Sequence, residues 1–370
     1  MDWATARAAA DVLLRWDEGE LHVGFSGGEP LLAEGLMRRV VDHLERRRSG
    51  TTSIDYVLTT NGTLLSPITI AFLVERGVRL HLSFDGVRQA QDLRGPETFD
   101  ILDALLHRLR AEQPDYFERM LAVGVTVTAA ALPFLAASTR YFIERGVSTI
   151  EFAPVVTWDE DCDEASVVGL SEQIAAILEI AVDHWYRTRE CPVSFLRPVE
   201  PTGEVLLRPV FGCGACAGIG VTVDADGRAW GCQLFAASLQ ELPLLGRSVA
   251  RALDLGDIRD PSIDRRLAAL PSIGLVEPVL GALDTKYTSY GRCCDCEHLY
   301  SCTICPAGTI HIPGNTDPLR LPDLPCAFSR LTLEAAAEFE RSTASQRWVD
   351  RLVDLKQPLQ QLMKNQRSQS

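Results

Sequence analysis

Cysteine is the residue in this sequence whose number and spacing most directly suggest chemistry. The chain of 370 residues has 11 cysteines, and all except Cys162 lie from Cys191 onward. A reducing cytosol disfavours disulfides, so cysteines clustered in this way indicate metal binding. Thiolate is the soft ligand that both iron–sulfur clusters and zinc prefer, and the residue type alone leaves these two possibilities open.

The cysteines fall into two blocks with regular internal spacing. The first block is Cys213-Gly-Ala-Cys216, followed after ten residues by Gly227 and after four more by Cys232. The second block is Cys293-Cys294-Asp-Cys296, followed after five residues by Cys302-Thr-Ile-Cys305 and later by Cys326. Apolar residues alternate around Asp226-Gly227 in Val221–Trp230, which predicts a β-hairpin that would bring Cys216 and Cys232 together.

This spacing resembles the SPASM domain of radical S-adenosylmethionine (SAM) enzymes. It departs from the SPASM pattern at one step, because two residues rather than three separate Cys302 from Cys305. SPASM domains usually hold two auxiliary 4Fe–4S clusters. By position, the resemblance implies that one cluster is held by Cys213, Cys216, Cys232 and Cys305. It implies that the other is held by Cys293, Cys296, Cys302 and Cys326.

The combined pattern favours iron–sulfur clusters, with structural zinc as the alternative. Cys162, Cys191 and Cys294 are left over, and we expect them to be ordinary small residues. No two of the seven histidines have the spacing of metal ligands, so we expect them at the surface or in satisfied core positions.

Another set of motifs follows strand-like segments in the first half of the chain. Leu21–Phe25 runs into Ser26-Gly27-Gly28-Glu29-Pro30. Paired glycines there place bare backbone at the carboxyl edge of a sheet, where ligands bind in α/β folds. Three further motifs follow in order: Thr59-Thr60-Asn61-Gly62-Thr63-Leu64, Ser83-Phe84-Asp85-Gly86, and Arg94-Gly95 before Thr98-Phe99-Asp100.

In this order the motifs are similar to those of radical SAM enzymes, over most of residues 20–154. The resemblance implies that SAM is bound by Ser26, Gly27, Gly28, Glu29, Ser83 and Arg94. The chemistry of these groups agrees, because glycine amides can meet a zwitterionic amino-acid end and Arg94 can pair with a carboxylate through its fork. Ser83 can hydrogen-bond a carboxylate or a ribose hydroxyl. Asp85, which precedes a glycine, is more typical of a turn or a cap than of a ligand.

Strand-like and helix-like segments alternate through this half of the sequence. The strands are Leu21–Phe25, Ile54–Thr59, Val78–Phe84, Ala122–Val127 and Thr149–Pro154. The helices are 3–16, Leu32–Arg48, Ile68–Arg76, Phe99–Arg110, Phe134–Arg145 and Ser171–Arg187. This alternation predicts βαβ units and a parallel sheet, with too few strands for a closed eight-stranded barrel.

With the resemblance, the predicted architecture is an α/β fold: a partial (βα)6 TIM-like barrel lacking its first strand over residues 1–190. A small cysteine-rich SPASM domain is expected over 205–330, and a C-terminal helix and tail over 331–370. The missing first strand should leave the edge of Leu21–Phe25 exposed.

Composition limits the partners and the compartment. The formal net charge of -14 argues against a nucleic-acid partner, which would require clustered Lys and Arg. No purely apolar run of about eighteen residues indicates a membrane span. Asp2, Arg7 and Asp11 interrupt the first helix, unlike a signal peptide. We therefore expect a cytoplasmic protein without a nucleic-acid or membrane partner.

One family motif is missing from the sequence. Radical SAM enzymes bind their radical-generating cluster with Cys-x3-Cys-x2-Cys ahead of the first helix, and here no cysteine precedes Cys162. We expect that Met1 is an internal methionine at the start of a shortened gene model. The alternative is a natural paralogue that has lost catalysis.

The resemblance implies a maturase-type enzyme that uses a 5′-deoxyadenosyl radical to modify a peptide or protein side chain. Its cofactors would be SAM and two auxiliary 4Fe–4S clusters, and its reductant a protein such as a flavodoxin or ferredoxin. We expect the 370 residues alone to be inactive, because the ligands of the radical-generating cluster are absent. Two alternatives remain: a non-catalytic iron–sulfur protein for peptide binding or electron transfer, and a structural zinc module.

Overall fold

The centre of the structure is a parallel sheet of five strands that lie side by side in chain order and curl into a half-barrel. The computed structural model describes residues 1–15, 19–155, 163–197, 220–236, 247–270, 290–299, 301–302, 304 and 321–367. The strands are β1 (Glu20–Phe25), β2 (Ser53–Thr60), β3 (Val78–Ser83), β4 (Leu121–Val127) and β5 (Ile150–Pro154). All five strands predicted from the sequence are therefore confirmed.

Helices cover the outer face of this sheet. They are α1 (Trp3–Leu13), α2 (Glu34–Arg47), α3 (Pro67–Arg76), α4 (Arg88–Arg94), α5 (Phe99–Glu112), α6 (Pro114–Met120), α7 (Leu135–Glu144) and α8 (Glu164–Thr188). The repeated sequence Glu-Arg-Gly-Val ends α3 and α7, where Gly77 and Gly146 take positive φ angles of 62° and 78°. Glycine adopts this left-handed conformation without strain, so each helix stops just before the next strand.

The strands alternate between the helical layer and the concave side of the half-barrel. In β3, Val78, Leu80 and Leu82 are buried against helices. His81, between two of them, and Ser83, at the end of the strand, are only partly buried. Strand side chains point alternately to opposite faces, so the concave face carries the polar and small residues. β1 is the edge strand, and no strand within the described ranges pairs with its outer side, which agrees with the predicted exposed edge.

A smaller antiparallel sheet lies in the cysteine-rich half. It consists of β6 (Thr222–Val223), β7 (Arg228–Trp230) and β8 (Asp254–Asp257), with helices α9 (Arg247–Leu253) and α10 (Ile263–Ala269) beside it. β6 and β7 form the hairpin predicted around Asp226-Gly227. The hairpin ends at Cys232, which is partly buried against this small core.

Helix α1 joins the small sheet to the barrel. Its Val12 lies in the core of the small sheet, and Arg15 pairs with Asp264 of α10 at 3.0 Å. On its other side, Asp11 accepts a hydrogen bond from His43 of α2 at 2.7 Å. The first helix of the chain is therefore shared between the two parts of the molecule.

The C-terminal helix begins earlier than the sequence predicts. After the short helix α11 (Gly291–Cys294), α12 spans Asp323–Arg367 rather than starting at Leu331, and Cys326 lies in its first turn. Its buried face belongs to the barrel core, through Leu324, Ala327, Phe328, Leu331, Ala335 and Phe339. The tail beyond residue 367 lies outside the described residues. The part of α12 from Leu324 to Phe339 therefore packs as part of the barrel.

Helix α8 also begins earlier than predicted, at Glu164. Asp163 accepts hydrogen bonds from the backbone and hydroxyl of Ser166, which caps the helix start. By length and composition α8 is apolar enough to cross a membrane. Its buried residues, however, lie in the barrel core: Leu170, Ile174, Ile177, Ala181 and Trp185.

Truncating Phe339 tests how strongly α12 is anchored. Its side chain is fully buried in the barrel core, so Phe339→Ala should lower the free energy of unfolding by about 3–5 kcal/mol. The exposed neighbour Glu340 is the matched control, and Glu340→Ala should change it by about 0.5 kcal/mol at most. Urea denaturation followed by circular dichroism measures both, and equal stability of the two variants would contradict this packing.

Candidate functional site

Glu29 connects the carboxyl ends of β1 and β2. Its Oε1 accepts hydrogen bonds from the backbone N–H of Leu31 at 3.0 Å and the hydroxyl of Thr60 at 2.7 Å. Its Oε2 accepts from the backbone N–H of Asn61 at 2.9 Å. The carboxylate therefore orders the loop after β1 and holds it against the loop after β2.

The glycines before Glu29 lie beside open space. Gly27 has φ +131°, a conformation that side-chain-bearing residues rarely adopt, and a Cβ at either Gly27 or Gly28 would meet no atom within 4 Å. Ser26, Gly27 and Gly28 are all exposed. The backbone of this loop thus borders a space at the carboxyl edge of the sheet, which a zwitterionic ligand such as SAM could enter.

Arg94 and Asp85 form an ion pair at the ends of β3 and β4. Arg94 Nη1 donates to Asp85 Oδ1 at 2.8 Å, and its Nη2 donates to the hydroxyl of Thr126 at 2.8 Å. The same Asp85 oxygen accepts from the backbone N–H of Thr126 at 2.8 Å. Burial raises the pKa of Asp85, and Arg94 and the Thr126 N–H oppose that rise.

This ion pair changes how the two residues are understood. The sequence suggested a turn role for Asp85 and a ligand role for Arg94. In the structure Asp85, with 6% of its side chain exposed, fixes the guanidinium of Arg94, which remains 31% exposed. Ser83 pairs with Gly124 across β3 and β4, and Arg94 Nη1 also approaches the Gly124 carbonyl at 3.2 Å. Ser83 and Arg94 therefore lie next to each other on the same sheet edge as Gly27 and Gly28.

Four cysteines line one cavity in the second half of the chain. They are Cys293, Cys296, Cys302 and Cys326, and the cavity measures about 50 Å³. Leu299, Ile304 and Leu321 supply its apolar walls. These four cysteines come from two stretches of sequence and are those that the SPASM resemblance groups together. Soft donors converging on one small apolar cavity fit an iron–sulfur cluster, and they also fit zinc.

Local backbone structure positions these thiols. Successive turns place the N–H of Cys296 on the carbonyl of Cys293 at 3.3 Å and that of Leu299 on Cys296 at 3.1 Å. Cys326 arrives from the first turn of α12, with its N–H on the carbonyl of Pro322 at 3.2 Å. A compact turn and a helix start therefore bring together cysteines that are far apart in the chain.

Burial and charge act in opposite directions on Cys326. Burial raises the pKa of its thiol, and the neighbouring Cys302 and Cys296 add to this effect. The guanidinium of Arg292 lowers the same pKa. Arg292 is itself held by Asp323, with Nη1 to Oδ1 at 2.8 Å.

A larger cavity of about 790 Å³ adjoins the small one. Cys296, Cys326 and Arg292 line both cavities, whereas Cys293 and Cys302 line only the inner one. The outer cavity also has acidic groups: Asp163, Glu164, Asp295, Glu297 and Asp323. Two of the four thiols therefore face a solvent-accessible space.

The structure places only some of the remaining cysteines. Cys213, Cys216 and Cys305, predicted partners of Cys232, and the leftover Cys162 fall outside the described residues. Cys191 packs against the barrel core, and Cys294 is exposed.

The sequence did not reveal one group that includes a histidine. Glu297, His298 and Glu334 bring one possible ligand atom each within 4.8 Å of one another. His298 and Glu334 are far apart in the chain, so only the tertiary structure shows the grouping.

Sequence comparisons give partial matches. No protein-family model matches the chain. Over 157 residues it is 31% identical to the uncharacterized protein MJ0907 of Methanocaldococcus jannaschii, covering 41% of this chain and 52% of that protein. Over 73 residues it is 34% identical to the radical SAM cyclopropyl synthase TigE of Paramaledivibacter caminithermalis, covering 20% of this chain and 15% of that protein. The matched region thus spans about half the length of the first relative and less of the second.

Structural comparisons cover nearly the whole chain. A structure of anSMEcpe, a radical SAM/SPASM anaerobic sulfatase maturase, with bound AdoMet matches with a TM-score of 0.66 at 16% identity, over 96% of this chain and 89% of that one. A second, with AdoMet and a Kp18Cys peptide, matches with a TM-score of 0.64 at 16% identity, over 96% and 90%. The chain therefore has the fold of these radical SAM enzymes, a partial TIM-like barrel, and the fold predicted from the sequence is confirmed.

Removing the Asp85 carboxylate tests the ion pair. Asp85→Ala would remove the acceptor of the Thr126 N–H and the only carboxylate partner of Arg94 among the described residues, so it should lower the free energy of unfolding by about 3 kcal/mol. Asp92→Ala, at an exposed position of α4, is the matched control and should be nearly neutral. Urea denaturation of the two variants measures the difference. If Asp85→Ala were as stable as Asp92→Ala, Asp85 would not anchor Arg94.

Proposed function

We propose that the chain carries the SAM-binding and auxiliary-cluster sites of a radical SAM/SPASM maturase-type enzyme that modifies a peptide or protein side chain. The observation that carries the proposal is the convergence of Cys293, Cys296, Cys302 and Cys326 on one cavity, beside a half-barrel with the fold of anSMEcpe. The motifs at the sheet edge support SAM as the ligand of that half-barrel.

Each residue at the sheet edge has a distinct task in this proposal. The amides of Gly27 and Gly28 meet the amino-acid end of SAM, and Ser83 and Arg94 bind its carboxylate or ribose hydroxyls. Asp85 keeps the guanidinium of Arg94 oriented, and Glu29 holds the glycine loop against β2. Ser26 begins that loop and lines the same edge. Such preorganised groups bind a ligand without first having to be ordered.

The cysteines hold two 4Fe–4S clusters in this proposal. Cys293, Cys296, Cys302 and Cys326 would hold one cluster. Cys213, Cys216, Cys232 and Cys305 would hold the other. Bound SAM would supply the radical chemistry for removing a hydrogen from the substrate. The protein orients the reactants and excludes water.

The partners that we propose follow from the proposed enzyme class. The Kp18Cys peptide in the anSMEcpe structure supports a peptide or protein substrate here. A flavodoxin or ferredoxin would supply electrons. The net charge of -14 supports the absence of a nucleic-acid partner. The packing of one face of α8 in the barrel core supports a helix that does not cross a membrane, and we place the protein in the cytoplasm.

Two other functions are compatible with the cysteine cavity. A non-catalytic iron–sulfur protein could bind peptides or carry electrons, because the Cys-x3-Cys-x2-Cys motif does not occur in these 370 residues. A structural zinc module would use the same thiolates. Metal analysis separates zinc from iron, and SAM cleavage separates enzyme from carrier.

Anaerobic reconstitution with iron and sulfide tests the clusters. The chain should bind about eight irons and become brown, as two cubane clusters require. Cys232→Ser should lose about half of the iron, because each cluster holds about four. Cys294→Ser, at an exposed cysteine outside both sets, is the control and should keep its iron. Stoichiometric zinc without visible absorbance would refute the cluster proposal in favour of the zinc module.

SAM cleavage tests the enzyme proposal. With dithionite and SAM, the 370 residues alone should give no 5′-deoxyadenosine above background, whereas a chain extended by a segment with Cys-x3-Cys-x2-Cys should produce it. In the extended chain, Arg94→Ala should weaken SAM binding by about 10–100-fold, as expected for loss of a charged hydrogen bond.

The control for SAM binding is Arg88→Ala, because Arg88 lies on the same helix and pairs with Asp100 instead. Its affinity for SAM should match that of the unmodified chain. Cleavage of SAM by the 370 residues alone would contradict the expectation that they lack the ligands of the radical-generating cluster. An extended chain that binds its clusters but leaves SAM intact would favour the carrier protein.

A further inference from the structure

Two side chains other than cysteine approach the sulfurs of the inner cavity. The hydroxyl of Ser329 donates to Cys302 Sγ at 3.7 Å. The guanidinium of Arg292 lines the same two cavities as Cys326 and hydrogen-bonds its thiol. One neutral and one cationic donor therefore contact two different sulfurs of the same set.

The elements that carry the cysteines also fix both donors. Arg292 directly precedes Cys293 in α11, and its Nη1 is held by Asp323 Oδ1 at 2.8 Å. Asp323 and Ser329 lie on α12, on either side of Cys326 along the helix. The donors are therefore positioned by the same turn and helix start that bring the thiols together.

Donors at ligand sulfurs affect redox equilibria in a predictable direction. Reduction adds negative charge to a cluster and its thiolates, so a hydrogen bond or a nearby cation favours the reduced state. Charge-assisted hydrogen bonds are the stronger kind. Arg292 is 53% exposed and paired with Asp323, so solvent and the carboxylate reduce its effect without cancelling it.

We infer that Arg292 and Ser329 raise the reduction potential of the cluster held by Cys293, Cys296, Cys302 and Cys326 above the value that the same site would have without these two donors. The inference rests on the proposed function, because it requires that these thiols hold a 4Fe–4S cluster. Arg292 and Ser329 are positioning residues in this role, since they act on the metal site through its ligands.

Redox titration of the reconstituted full chain, followed by electron paramagnetic resonance, tests the inference. Arg292→Gln should lower the potential by about 59 mV, a tenfold shift of a one-electron equilibrium toward the oxidised state. Ser329→Ala should lower it by less, because it removes a neutral donor. Arg292→Lys retains the charge and should keep most of the wild-type potential.

Arg341→Gln is the matched control, because it removes an arginine of α12 that pairs with Glu338 and lines neither cavity. It should leave the potential unchanged. In a Cys232→Ser preparation, only Cys293, Cys296, Cys302 and Cys326 should hold a cluster. Its spectrum therefore identifies the paramagnetic resonance signal of that cluster.

Iron content distinguishes failure of the inference from failure of the proposed function. A wild-type chain that takes up no iron refutes the clusters themselves. Full iron content with equal potentials in Arg292→Gln and Arg341→Gln overturns the role of Arg292. If Arg292→Gln loses iron, the reduction potential is measured in Ser329→Ala and Arg292→Lys instead. A Ser329→Ala potential equal to the wild-type value then overturns the inference.

Discussion

The packing of helix α12 against the barrel is the constraint on which the second half of the structure depends. Its buried face, from Leu324 to Phe339, belongs to the barrel core, while Cys326 in its first turn lines the cysteine cavity. A single rigid element therefore has one part buried in the large hydrophobic core and its start among the thiols. The location of Cys326 is fixed by that core, which is far larger than the small apolar cluster around Cys293.

At the carboxyl edge of the parallel sheet, two carboxylates that accept hydrogen bonds from the protein hold the site residues in place. Parallel strands end at the same edge and leave their loops to be ordered by other interactions. Glu29 does this for the loops after β1 and β2, and Asp85 does it for Arg94 and β4. The Glu29 carboxylate accepts three hydrogen bonds from protein groups, and that of Asp85 accepts two. The loops around the open space beside Gly27 and Gly28 are thus held in place by hydrogen bonds.

The sequence predicted the elements better than the contacts between them. The alternation of strand-like and helix-like segments, with glycines that end helices, predicted all five parallel strands. The Asp226-Gly227 pair predicted the hairpin. The start of α12 was missed because proline and cysteine between residues 321 and 326 disguise the helix, and only packing of Leu324 against the barrel reveals it. The pairs Arg94–Asp85 and Ser329–Cys302 depend on tertiary structure. Cysteine spacing suggested which thiols belong together, but not which donors approach them.

Helix geometry explains part of the acidic lining of the outer cavity, namely Asp163, Glu164 and Asp323. α8 and α12 both begin there, and the start of a helix carries partial positive charge with unsatisfied N–H groups. Asp163 caps α8 through Ser166, and Asp323 lies in the first turn of α12 and pairs with Arg292. These two carboxylates therefore stabilise helix starts. Because Asp323 also holds Arg292 beside Cys326, the helix start and the charge at the thiols are parts of one arrangement.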